Sequence, residues 1–182
     1  MEKIKYWAIL RTVLIAIALA VLFRSYLFAS YVVDGKSMEP TLNDGNLLMV
    51  NKLIYDIQSI NRFDVIVFHA SEEEDYVKRV IGEPGDRIEY RNDQLYINNE
   101  QVGQSYLEPF RKNDGEPLTE DFTLEQVTGE KKVPEGKLFV LGDNRRESLD
   151  SRYFGFVDAT SVVGKVDVRY WPVSQLGFQF LN

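Results

Sequence analysis

Cysteine is absent from the 182 residues and histidine occurs once, at position 69. The first absence excludes a disulfide scaffold and any thiolate metal site, and it suits either a reducing compartment or the exterior of a cell that does without disulfides. The second leaves His69 as the one imidazole available to a Ser, His, Asp arrangement. It ends an apolar run beside the acidic patch Glu72–Asp75 with no distinctive flanking motif, and it reads as a surface residue. Cations are also in short supply. Against 28 Asp and Glu stand 21 Lys and Arg, which leaves a net charge of -7 and a pI near 4.9. Proteins that neutralise phosphates carry the opposite surplus, so nucleic acid is set aside as a partner.

Long apolar runs are missing everywhere except near the N-terminus. Lys3, Lys5 and Arg11 lead into the uncharged stretch Thr12–Phe23, followed by Arg24 and an apolar patch, Tyr26–Ala29. The strict run falls short of the roughly 20 residues that a membrane-crossing helix wants. Counted from Ile4 or Tyr6 to Phe28, with Arg11 and Arg24 snorkelling, it is about a full span, and Tyr6, Trp7 and Tyr26 fall at headgroup level. A cleaved signal peptide is the rival. Cleavage after Ala29 would put Leu27 where a small residue is wanted, which favours a retained anchor. Residues 1–29 are therefore expected to be a cytoplasmic tip and transmembrane helix, with the rest of the chain on the extracytoplasmic side.

Beyond residue 30 the chain is patterned as strands. Leu47–Val50, Arg62–His69, Tyr76–Ile81, Lys137–Leu141 and Val162–Tyr170 are apolar, largely β-branched or aromatic segments. Between them, Arg87–Arg91, Gln94–Ile97 and Glu100–Val102 are separated by Asn92-Asp93 and Asn98-Asn99, the signature of a hairpin meander. From Gly103 to Lys132 turn formers dominate, and a solvated, loop-rich excursion with one or two edge strands is expected. The C-terminal aromatics Trp171, Phe178 and Phe180, with Leu176 and Leu181, suit core packing or contact with headgroups.

Three stretches carry possible chemistry. A serine hydroxyl such as that of Ser37, in Gly35-Lys36-Ser37-Met38-Glu39-Pro40-Thr41-Leu42, is a weak nucleophile until a base takes its proton. In the strand Tyr76–Ile81 alternate side chains share a face, so Lys78 and Arg79 point opposite ways and one of them is directed inward. A desolvated lysine is a usable base; a surface pair balancing the acidic patch is the plainer alternative. Gly142–Arg152, dense in acids, guanidiniums and hydroxyls, succeeds a hydrophobic strand either as a presented site or as a salt-bridged surface loop.

In order and spacing, Ser37–Thr41, Tyr76–Asp86 and Gly142–Arg152 resemble the three boxes of the type I signal peptidases, in the Gram-positive branch, and the resemblance covers nearly the whole chain. It implies a mainly β protein: an N-terminal transmembrane helix, an antiparallel β catalytic core from residues 30–83 and 134–182, and an inserted β-rich cap over 84–133. It implies that Ser37 attacks the scissile carbonyl, that neutral Lys78 takes the hydroxyl proton, and that the Ser37 amide is one oxyanion donor. Ser148 would hold the Lys78 amine, Asp143 would pair with Arg79 and Asp150 with Arg152, and Met38 would touch substrate. Where some members have a serine as second oxyanion donor this chain has Gly35, so that donor stays unassigned. The implied partners are the signal peptides of exported preproteins and the lipid bilayer. The peptide would be cut after small side chains at the first and third positions before the bond, by a monomer needing no metal or other cofactor. Two alternatives stay open: a peptide-binding domain of the same fold without turnover, and a self-cleaving Ser/Lys protease, which should carry a DNA-binding domain and a scissile linker.

Overall fold

A computed structural model describes residues 2–111 and 116–177, the side chains of residues 2–5, 8, 20–26 and 109–110 excepted. The chain opens with α1 (Glu2–Leu27) and passes directly into strand β1 (Phe28–Val32). Phe28 and Ala29, assigned from the sequence to the anchor, thus begin the sheet instead. Nothing local separates an apolar span from an apolar strand that continues it. Among the described residues no helix is long and apolar enough to cross a membrane. The Arg24 and Tyr26 side chains, expected at one interface, lie outside the described residues, as do Phe178, Phe180 and Leu181.

The main sheet is antiparallel and seven-stranded. It joins β1 to β2 (Leu47–Asn51), β11 (Val162–Trp171), β3 (Val65–His69), β4 (Asp75–Gly82), β9 (Lys137–Leu141) and β10 (Val157–Asp158), in that order. Its central strands read as unbroken apolar runs because both faces are covered. Val65 and Val67 pack into one cluster with Leu42, Leu48 and Val50, while Ile66 and Phe68 join Val80, Val140 and Val157 in another. Each such buried side chain contributes about 1.5–3 kcal/mol.

The second sheet holds β7 (Glu100–Val102), β6 (Gln94–Ile97), β5 (Ile88–Arg91) and β8 (Phe122–Thr123). Its hairpins turn at Asn92-Asp93 and Asn98-Asn99, all four with positive φ, the conformation that two-residue hairpin loops require. Ile88, Tyr90, Leu95, Ile97 and Phe122 close onto Ile81, Phe139 and Leu141 of the main sheet, so the two sheets share one core. Among the described residues, the Gly103–Lys132 excursion has one edge strand, β8, a 3-10 turn over Ser105–Phe110 and helix α2 (Leu124–Thr128). Residues 112–115 of that excursion lie outside the described residues. Trp171 and Leu176, read as suited to core packing, are more than half exposed.

Candidate active site

The serine stretch turns sharply after β1. Gly35 takes φ +89°, which favours glycine, and its amide donates to Asp44 Oδ1 at 2.9 Å. Met38 and Leu42 then anchor the turn in the core, and the Leu42 amide bonds to the Met38 carbonyl at 2.9 Å. Met38, expected to touch substrate, is only 1% exposed; its unbranched side chain fills the core and leaves Ser37 held at the surface of it.

Lys78 comes from the middle of β4, opposite Ile66 of β3. Its Nζ donates to Ser37 Oγ at 2.8 Å and to the Val77 carbonyl at 3.1 Å, and it lies 5.1 Å from the centre of the Tyr76 ring. The residue is 4% exposed. Burial pushes its pKa from 10.5 down to about 8, against the opposing pull of the Asp150 carboxylate. Near neutral pH, about a tenth of such amines are uncharged and can accept a proton.

Arg79 is buried as deeply as Lys78, on the opposite face. Instead of one inward cation and one outward, β4 sends both inward, because the shared core covers the second face. The two meet that cost differently. Lys78 sheds its proton readily, whereas Arg79 cannot. Its Nε and Nη2 grip Asp143 at 2.9 and 2.7 Å, its Nη1 donates to the Phe63 carbonyl at 2.9 Å, and its guanidinium stacks 4.0 Å from the Tyr106 ring centre.

The loop after β9 is no surface salt-bridge cluster. Asp143, Arg145, Ser148, Asp150 and Ser151 are all buried. Asp150 caps the short helix α3 (Ser151–Phe154), takes Arg152 Nε and Nη2 on its two oxygens at 2.8 Å each, and accepts the Gly142 amide at 3.0 Å. The Asn144 amide and side chain clasp the Ser37 and Lys36 carbonyls at 3.0 and 3.1 Å. Ser148 Oγ is buried and makes no hydrogen bond among the described residues; the bond expected from it to Lys78 is not formed. His69, set aside from the sequence, pairs through Nδ1 with Asp75 at 2.5 Å, while the Ser37 hydroxyl is engaged by lysine.

Ser37, Lys78 and the Gly142–Arg152 loop are thus joined in one site, and known proteins share the chain that builds it. The family described as signal peptidase, peptidase S26, matches residues 6–171. The chain belongs to that family. It is 60% identical over 168 residues to signal peptidase I of Bacillus caldolyticus, covering 91% of this chain and 92% of that one. Signal peptidase IB of Staphylococcus aureus is 40% identical over 173 residues, 91% of each chain. The crystal structure of a signal peptidase I from Enterococcus faecalis superimposes with a TM-score of 0.56 at 46% identity, over 60% of this chain and 98% of that one. All three sources are Gram-positive, which agrees with the branch that the motifs suggest.

Within this S26 site one residue escaped sequence reasoning. Arg145 is fully buried; its Nη1 donates to Tyr90 Oη at 2.5 Å and Thr119 Oγ1 at 3.1 Å, and its Nη2 to Tyr106 Oη at 3.0 Å. The site loop is thereby fastened to the second sheet and to the excursion read as merely solvated. No local pattern marks Tyr106 or Thr119, since both act through a partner 26 or more residues away.

Gly142 has no room for a side chain. A methyl there would collide with the Ser148 side chain and the Ser37 carbonyl. Gly142→Ala is expected to cost about 1–3 kcal/mol through overpacking and to lower kcat at least tenfold, because the Ser37 backbone must give way. Thermal melting and peptide turnover of the purified variant check both.

Proposed function

We propose that the chain is a membrane-anchored signal peptidase that cleaves signal peptides from exported preproteins through a Ser37/Lys78 dyad. The observation that carries this is the 2.8 Å contact between Ser37 Oγ and a buried Lys78 Nζ whose pKa lies near 8. Neutral Lys78 takes the hydroxyl proton as Ser37 Oγ attacks the scissile carbonyl, and the Ser37 amide donates to the developing oxyanion. Lys78 then passes the proton to the departing amine, and an acyl group remains on Ser37 until water, deprotonated by the again neutral Lys78, releases it. Ser148 takes the role of positioning residue: its buried hydroxyl, unpartnered among the described residues, is free to bond the amine once substrate has excluded water.

An extended peptide fits between two strand edges. β1 ends the sheet, and β4 pairs with β9 only from Arg79 onward, which leaves Asp75–Lys78 without a partner on that side among the described residues. Burial, chiefly, and the nearby Asp75 carboxylate push the Tyr31 phenol up to about 12, which relates β1 to this stretch of β4. Strand addition supplies main-chain bonds there, and pockets for small side chains supply selectivity. The 26 residues of α1 give a helix about 39 Å long, exposing Trp7, Ile9, Val13, Ile17 and Leu19 on several faces, which favours lipid around it over a single protein partner. With Lys3, Lys5 and Arg11 at its start, the N-terminus is cytoplasmic and residues 30–182 act outside, as a monomer, with 84–133 as the inserted cap.

Ser37→Ala tests the assignment. Turnover of a preprotein by the full-length enzyme in detergent is expected to fall by at least about 10³-fold with the fold retained. Undiminished cleavage would take the nucleophile's role from this serine, and signal-peptide binding without turnover in the wild type would turn the chain into a binding module.

A further inference from the structure

A second feature lies beside the dyad, past Tyr76 on the strand that carries Lys78. Tyr76, Lys78 and Val80 share one face of that strand, and beyond Tyr76 lies a cleft of about 470 Å³ whose apolar lining is Phe68, Tyr76, Leu149, Phe154, Phe156 and Val157. Three of its rings form a closed triangle: Phe68, Tyr76 and Phe154 have centroids 6.2 to 6.4 Å apart. Its lining is mixed: His69, Ser71, Glu74, Asp158 and Ser161 share it with Leu149 and Phe154, which are 54% and 39% exposed. Neither is a stray surface residue. Leu149 stands between Ser148 and Asp150 of the site loop, and Phe154 ends the helix that Asp150 caps.

We infer that this cleft receives the substrate on the leaving-amine side of the scissile bond and selects an apolar side chain about two residues beyond the cut. The inference rests on the function proposed above. Continuity with the reacting atoms comes first: the Tyr76 ring that forms one wall lies 5.1 Å from Lys78 Nζ, the atom that must protonate the departing amine. At about 3.3 Å per extended residue, one or two residues carry the chain from that amine into the cleft. Size comes second. Small side chains would leave most of that volume empty, whereas a leucine or phenylalanine, with its neighbours in the chain, occupies much of it. Charge is third: Glu74 and Asp158 are among the lining residues, so an acidic side chain is disfavoured there.

The test uses full-length enzyme in detergent and two series of quenched fluorescent peptides. In the first, the second residue after the cut is Leu, Phe, Ser or Asp; in the second, the residue at the third position before the cut is Ala, Val or Asp. Wild type is expected to cleave the Leu and Phe members of the first series about tenfold faster, as kcat/KM, than the Ser member, and the Asp member slower still. In Phe154→Ala and in Leu149→Ser that ratio should fall to about twofold or less, while the ranking within the second series is kept. Phe154→Leu, which retains apolar volume, should recover most of the ratio, and melting temperatures establish that each variant is folded. A wild-type ratio near one overturns the inference and leaves the proposed function standing. So does a change confined to the second series, which would put the cleft on the acyl side. Wild type that cleaves neither series overturns both.

Discussion

Lys78→Met is expected to abolish cleavage and, at neutral pH, to make the protein more stable. The two effects have one cause. In the proposed mechanism the amine is what accepts the Ser37 proton, so kcat should drop about 10³ to 10⁴-fold without it. The energetic side comes from the depressed pKa, about 8 in the folded chain against 10.5 when exposed. Above pH 10.5 the lysine is neutral folded or unfolded and contributes nothing. Between 10.5 and 8 the unfolded chain holds a proton that the folded chain lacks, so stability falls as pH falls. Below 8 the cost levels off at about 3 kcal/mol. A methionine of similar volume escapes that cost but forfeits the bonds to Ser37 Oγ and the Val77 carbonyl, so a net gain of about 1–3 kcal/mol is expected near pH 7, shrinking toward zero or below by pH 10.5. Asp150 is not stranded by the change, because Arg152 holds both its oxygens. Denaturant unfolding at pH 7 and 10.5 measures this, and a variant less stable than wild type at pH 7 would make Lys78 a structural cation. In the wild type the same titration should raise kcat/KM through an inflection near pH 8; one near 10.5 would contradict the lysine's role.

The pattern of the chain displays its strands well because they are short, β-branched and punctuated by residues with one conformational use. Asn92-Asp93 and Asn98-Asn99 take the positive φ that their hairpins need, and β5, β6 and β7 lie within a residue or so of where those turns put them. β8 and β10, two residues each, are too short to show a period, and β1 hides inside an apolar segment that continues the helix. Alternation in Tyr76–Ile81 correctly puts Lys78 and Arg79 on opposite faces, yet their burial depends on what covers each face, and that is decided by Phe139, Leu141 and the second sheet. For the same reason Arg145 looks like one more loop cation, though it has three hydroxyl partners from distant segments. Met38 shows the converse: the resemblance implies substrate contact, and the turn that holds the serine sends its neighbour into the core.

The largest expected loss of stability comes from Asp143→Ala. Arg79 and Asp143 are 5% and 0% exposed at the side chain, joined by two parallel hydrogen bonds in a region that the second sheet seals from water. Burial alone would lower the guanidinium pKa; the Asp143 carboxylate raises it above its ordinary value, so the charge persists and depends on this one anion. Remove the carboxylate and a charge that cannot be shed is left against the Phe63 carbonyl and the Tyr106 ring, at a cost of about 3–5 kcal/mol. Arg145 aggravates it. It too is fully buried, its guanidinium bonds only to hydroxyls among the described residues, its Nε has no partner among them, and Asp143 contributes to holding its charge. The loss thus approaches the whole stability of an ordinary domain, about 5–15 kcal/mol, and the variant should be partly unfolded at 37 °C. Replacing the pair together, as Arg79→Met with Asp143→Leu, should restore most of the loss, since no lone charge remains on Arg79. Cleavage should not return to the same extent, because the backbone after Gly142 then lacks the tie that fixes Ser148 and Asn144 against Ser37. Unfolding curves and kcat/KM for the two single variants and the double one separate these outcomes: stability rescued without activity assigns the pair to positioning the loop, and a double variant as unstable as Asp143→Ala would show that Arg145, not Arg79, is the charge that Asp143 serves.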